Sequence, residues 1–225
     1  MLAGASDRRH NNPAATSHHH DSGEASSGDN GLMHGTPTQL ATAAHRGAAG
    51  KLTHGSLFTG IGAFDLALEC ANFKTVWQVE KDDFARRVLE KHWPNVPKFS
   101  DVKECGVGRK YELASVDLIS GGFPCQDLSS AGKRRGLGTP ANPTARSGLW
   151  FEFRRIVAEM RPRWVLVESV CGLKDLGGDE VLSGMEALGY SCWPLVVGAG
   201  NLGAPHGRKR VWILCRRNDE CASVQ

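Results

Sequence analysis

From Lys51 onward the chain repeats a single pattern, a short apolar run rich in β-branched or aromatic residues followed by an amphipathic stretch. Short strands that alternate with helices bury their apolar surface by forming a mainly parallel sheet covered on its faces. The pattern predicts a doubly wound α/β fold, with strands at residues 52–58, 75–79, 116–120, 164–168, 191–197 and 211–215 and helices between them.

Three helices are legible in more detail. In residues 147–160, Leu149, Trp150, Phe153, Ile156, Val157 and Met160 fall on one face while Arg154, Arg155 and Glu159 fall on the other. Pro162 ends this helix. A second, at 83–92, turns Phe84, Val88 and Leu89 inward, and a third follows Gly62 with Phe64, Leu66 and Leu68 among its apolar residues. Residues 121–146 show no periodicity, and an irregular stretch of that length inside a compact domain is uncommon unless it is functional.

A length of 225 residues, 40% of them hydrophobic and 23% charged, fits one globular domain with a substantial core. Residues 1–50, rich in Gly, Ala, Ser, Thr, Asn and His, read as a flexible low-complexity tail that includes the solvated run His18, His19 and His20. The domain then spans 51–219, with a short C-terminal tail at 220–225. A net charge of +3 does not by itself suggest nucleic acid, although basic residues bunch at 133–135, 208–210 and 216–217. Seven cysteines without a CxxC pair, and no early apolar stretch of the signal-peptide kind, argue against a zinc cage or a secreted disulfide framework and for a reducing cytoplasm. The apolar runs are too short to span a bilayer, so no membrane partner is expected.

Four places carry the residue types of a reaction. Phe58-Thr59-Gly60-Ile61-Gly62 lies where a strand turns into a helix, and Glu80 ends the next strand. Such a turn admits a nucleotide, and a carboxylate some twenty residues on accepts hydrogen bonds from ribose hydroxyls. The third glycine of the dinucleotide fingerprint is absent, with Asp65 in its place, so an adenosine-bearing cofactor without a pyrophosphate fits better; a turn that serves packing alone is the competing reading. Gly121-Gly122-Phe123-Pro124-Cys125-Gln126 leaves the carboxyl end of a strand, where open α/β sheets bind ligands, and presents a thiol able to attack an electron-poor carbon. The other six cysteines read as buried packing residues. Glu168 follows four apolar strand residues and suits an acid that donates to a ring nitrogen, or else a salt bridge to an arginine such as Arg208. Arg208 and Arg210 stand just before the final strand, where forked donors can reach a carbonyl oxygen or a phosphate, or form a solvated basic turn.

In this order the four sites resemble the DNA cytosine-5 methyltransferase family, over about residues 51–219. The resemblance implies the Rossmann-like fold of S-adenosylmethionine-dependent methyltransferases, that cofactor, and DNA as partner. It implies that Phe58, Gly60, Gly62 and Pro124 line the cofactor site, that Glu80 binds the ribose and that Asp101 holds the adenine amino group. It further implies that Cys125 adds to C6 of a flipped-out cytosine while Glu168 engages N3 and the exocyclic amine and Arg210, near Arg208, holds O2. The chain departs from the family pattern at Ser56, Ala63, Lys81, Ser169 and the pair His206-Gly207. Longer members continue beyond the position of Asp219 with a target-recognition region, so the chain reads as a compact enzyme with little sequence preference, as a subunit with a separate target-recognition partner, or as a truncated product. The alternative reading is a non-catalytic or partner-dependent DNA-binding subunit of the same fold. An RNA substrate is a further variant, and an NAD-dependent oxidoreductase leaves Pro124-Cys125-Gln126 unexplained.

Overall fold

Strand β1 (Leu52–Leu57) is buried from Thr53 onward, as a strand must be when it sits in mid-sheet with helices packed above and below. The computed structural model describes residues 50–124, 137 and 147–218, so the expected tails at 1–49 and 219–225 lie outside the described residues. After β1 come α1 (Ala63–Cys70), β2 (Phe73–Val79), α2 (Asp83–His92), β3 (Lys98–Phe99) and β4 (Leu118–Gly121). Then follow α3 (Trp150–Met160), β5 (Trp164–Val170), α4 (Leu173–Leu176), α5 (Gly178–Glu186), β6 (Tyr190–Gly198) and β7 (Lys209–Arg217). Each expected strand is present within a few residues. The two-residue β3 and the helices α4 and α5 are not individually legible in the sequence.

The strands form one seven-stranded sheet in the order β3-β2-β1-β4-β5-β7-β6. Strands β1 to β5 are mutually parallel, and β7 runs antiparallel to both β5 and β6. The chain builds outward from β1 in one direction and then, from β4, in the other, so the ends of β1 and β4 flank a topological switch point. Right-handed crossovers put α1 and α2 on one face and α3 and α5 on the other.

The α3 side holds most of the core. Trp150, Phe153, Ile156 and Val157 are fully buried with Val165 and Val167 of β5, Ile213 of β7 and Met185 of α5. Leu149 and Met160 pack at the edge of that cluster, and a left-handed Arg161 (φ 50°) stops α3 just before Pro162. The other helices differ from the periodicity reading. Phe84 is 65% exposed beneath the Arg87 guanidinium, and Ala85 and Leu89 are the residues α2 buries. Leu66 is likewise exposed, and the buried residue of α1 is Asp65, whose Oδ1 accepts from Gln78 Nε2 at 3.0 Å. Hydrophobic content alone cannot reveal a polar group with a waiting partner.

Among the described residues, the face of β5, β7 and β6 opposite α3 is largely open. Leu166, Trp212 and Leu214 are half-buried there, and Trp193 and Leu195 are about half exposed. Phe64 of α1 reaches this face, edge-on to Trp212 with ring centroids 5.5 Å apart.

Phe153→Ala should cost about 3–5 kcal/mol of stability, because it empties a volume between helix and sheet that cannot collapse; urea unfolding measures it. A second expectation concerns His54, which is fully buried on β1, paired through Nε2 with Ser120 Oγ at 2.7 Å, and held neutral because burial lowers its pKa to about 3. The unfolded imidazole takes up a proton below pH about 6.5, so stability falls from there down to about pH 3, where the folded form protonates too. Asp65, pushed upward chiefly by burial, acts in the opposite sense. A His54→Gln variant should flatten the decline in urea midpoint between pH 6.5 and 4; an unchanged slope would rule out His54 as its source.

Candidate active site

The parallel strands point one way, so the residues that leave β1, β2, β3 and β4 all emerge at one edge of the sheet. Because β7 is antiparallel, its beginning, with Arg208 and Arg210, arrives at that same edge. The strand order thereby collects the described candidate residues along one margin.

At the end of β1 the chain makes a tight turn. Thr59 donates its backbone N–H to Val79 O at 3.1 Å, and its hydroxyl shares its one proton between Ser56 O at 3.1 Å and Val79 O at 3.2 Å. Phe58, Gly60 and Gly62 all have positive φ (53°, 59° and 92°), a conformation that glycine adopts without strain. A side chain at Gly62 would collide with the Trp93 ring, at 2.4 Å, whereas nothing lies within 4 Å of a Cβ built on Gly60. Space for a ligand therefore lies over Gly60.

Glu80 stands beside that space. Its Oε2 accepts the Gly60 N–H at 2.7 Å and its Oε1 the Asp82 N–H at 2.8 Å. A carboxylate has about four acceptor positions, so further lone pairs remain for hydroxyl donors. Asp101, after β3, accepts the Lys103 N–H at 3.0 Å and faces Lys81 Nζ at 3.6 Å. The lysine that departs from the family pattern is thus a solvent-exposed partner for that acid.

Gly121 and Gly122 close the gap between strand ends. A Cβ on Gly121 would lie 2.5 Å from Leu57 O, and one on Gly122 2.7 Å from Glu168 Oε2. Phe123 is buried against Trp150 at 5.7 Å between centroids, which anchors Pro124 behind it. Cys125 and the basic run at 133–135 lie outside the described residues.

Glu168 and Arg210 form an ion pair, Oε1 to Nε at 2.9 Å, with about a quarter of each side chain exposed. The sequence suggests Arg208 as the salt-bridge partner of Glu168; the pair instead falls to Arg210, because Arg210 lies in β7 opposite Val170 while Arg208 precedes the strand and is exposed. Both arginines and Glu168 line a crevice of about 490 Å³ whose other walls include Ala63 and Phe64 of α1 and Trp212. Since Gly62 caps α1, the glycine turn and the Glu168–Arg210 pair meet through the first residues of that helix.

The remaining cysteines do not all serve buried packing. Cys70 is exposed, Cys171 and Cys192 are half-buried, and only Cys105 and Cys215 are buried among the described residues. Cys192 and Cys215 face each other across the β6–β7 ladder with sulfurs 2.6 Å apart.

The family model for C-5 cytosine-specific DNA methylases matches residues 52–225. The chain is 34% identical over 167 residues to the type II methyltransferase M.HhaI of Haemophilus parahaemolyticus, covering 72% of this chain and 48% of that protein. It is 35% identical to the type II methyltransferase M2.BsuMI of Bacillus subtilis, covering 71% and 40% respectively. Among solved structures, the Entamoeba histolytica methyltransferase EhMeth shares the fold at a TM-score of 0.62 with 15% identity, over 78% of this chain and 56% of that one. The chain spans about half the length of these relatives or less.

Exchanging Gly122 for alanine should separate Glu168 from Arg210, since the added methyl group takes the place of the carboxylate. The crystal structure of the variant, or loss of coupling in a Glu168/Arg210 double-mutant cycle on its background, would check this.

Proposed function

Because the chain belongs to the C-5 cytosine-specific DNA methylase family, we propose that it methylates cytosine in DNA at carbon 5 with S-adenosylmethionine as donor. The observation that carries this reading is the Glu168–Arg210 pair on the crevice beside the glycine turn. Along one edge a cytosine ring offers O2, N3 and the 4-amino group. A guanidinium next to a carboxyl group matches that order: Arg210 donates to O2, while Glu168 engages N3 and accepts from the amine. Reaching these atoms requires the base to leave the duplex stack.

Cofactor fit rests on the turn. The open space at Gly60, the spare acceptor positions of Glu80 and the placement of Asp101 suit an adenosine whose ribose meets Glu80 and whose amino group meets Asp101, with Phe58, Gly62 and Pro124 alongside. When bound, S-adenosylmethionine supplies an electrophilic methyl group. The role proposed for Cys125 is to add as thiolate to C6, forming an Sγ–C6 bond and moving the ring electrons toward C5, with Glu168 and Arg210 stabilising the charge on the ring edge. After C5 has been alkylated and has lost its proton, the Sγ–C6 bond breaks and the thiolate leaves.

A second reading, dependence on a separate target-recognition polypeptide, is favoured by one observation. Among the described residues, the sheet face bearing Trp193, Leu195, Leu166 and Trp212 is open beside the crevice. Exposed apolar patches of this kind mark association surfaces.

Incubation with S-adenosylmethionine and duplex DNA containing 5-fluorocytosine should give a covalent complex on a denaturing gel with the wild type and none with Cys125→Ser, since fluorine blocks the final elimination. An adduct in the Cys125→Ser form would sink the nucleophile assignment, and no adduct in either would favour the partner-dependent reading. Glu80→Ala should weaken S-adenosylmethionine binding about tenfold, as expected for loss of charge-assisted hydrogen bonds; calorimetry on the full chain reads it directly.

A further inference from the structure

Periodicity puts Arg155 on the outer face of α3, yet it is one of the most fully engaged side chains described. Its Nε donates to Glu152 Oε2 at 2.8 Å and its Nη1 to both Glu159 oxygens at 2.9 and 3.0 Å. The remaining nitrogen, Nη2, leaves the helix and donates to Val102 O at 3.1 Å and Cys105 O at 2.9 Å. Glu159 reaches across as well, accepting the Val107 N–H at 3.0 Å. Two side chains of α3 therefore clasp residues 102–107 through a donor and an acceptor.

That segment begins at Asp101. The Asp101 side chain caps the turn Val102–Glu104, and the Cys105 thiol donates to Asp101 O at 3.3 Å. Burial raises the Cys105 pKa to about 11, so the thiol keeps the proton it donates. Gly106 is shaped to the clasp: its φ is 128°, and a Cβ there would fall 2.2 Å from Glu159 Oε2 and 2.6 Å from Arg155 Nη1. A side chain serving helix stability alone would need only its Glu152 and Glu159 partners, one turn away on the same helix. The two carbonyl contacts add nothing to the helix and everything to the position of the neighbouring segment.

We propose that Arg155 is a positioning residue for the adenine end of the cofactor site, acting through Cys105 and the 102–104 turn to hold the Asp101 carboxylate in place. The inference rests on the reading of Asp101 as the adenine-amine acceptor. It also makes α3, which follows the segment bearing Cys125 in the chain, the support of the purine grip. Lysine cannot substitute, because one ammonium cannot donate along the four directions that the guanidinium serves.

The test uses the full chain as wild type, Arg155→Lys, Asp101→Ala and the double variant. Amide hydrogen exchange without cofactor should accelerate about tenfold over residues 101–108 in Arg155→Lys, with β5 and β7 peptides unchanged. Affinity for S-adenosylmethionine should fall about tenfold in Arg155→Lys. The double variant should bind no more weakly than Asp101→Ala alone, since Arg155 acts through that residue. Unchanged exchange at 101–108, or losses that add in the double variant, would overturn the proposal. If the wild type bound no S-adenosylmethionine, the functional reading would fail and the exchange rates alone would decide the role of Arg155. Should Arg155→Lys not fold, Glu159→Gln, which weakens the same clasp, carries the same exchange and binding tests.

Discussion

Strand β7 runs against β5, and that reversal decides what the sheet margin contains. With Glu168 opposite Trp212 and Val170 opposite Arg210, the acid and the arginine are diagonal neighbours on one face, close enough to pair. A parallel β7 would have carried Arg208 and Arg210 to the far edge, away from the turns that follow β1 to β4. The opposite face of the same strands, with Val165, Val167, Val211 and Ile213, is sealed by α3 and α5. The ion pair is thus borne by strands whose backs are fixed in the core, and its geometry does not rely on loops.

Much of this is readable from the chain. Strand positions follow from runs of β-branched residues, because such runs have few other uses in a soluble domain. The glycine turn, Glu80 and Glu168 are readable since each lies at a strand end, and strand ends converge in this class of sheet; Asp101 follows the two-residue β3, which no periodicity marks, and is expected only from the family resemblance. Bringing them to one margin requires only that the strands be parallel and the last one reversed. The choice of Arg210 over Arg208 is not readable, because it depends on which residue first enters the β5–β7 ladder.

Phe84, Asp65 and Arg155 show where the reading of helices stops short. Apolar periodicity ranks residues by their cost of exposure and takes no account of partners. Phe84 is tolerated outside under an arginine, Asp65 inside because Gln78 meets it, and Arg155 is half-buried because carbonyls on a segment about fifty residues earlier await it. The acids at Glu152 and Glu159 signal a paired arginine from spacing alone, but not its reach beyond the helix.

The antiparallel pair β6–β7 also decides what the edge of the sheet can offer another strand. Asn218 N donates to Gly189 O on one side of β7, and Arg217 N to Arg163 O on the other. Residues alternate in direction along a strand, so in β6, outermost among the described strands, it is Cys192, Pro194 and Val196 that turn their backbone away from β7. Proline has no N–H to offer, and it occupies the middle of that row. Growth of the sheet by adding strand to strand, the route to domain swapping and fibrils, meets a missing rung there.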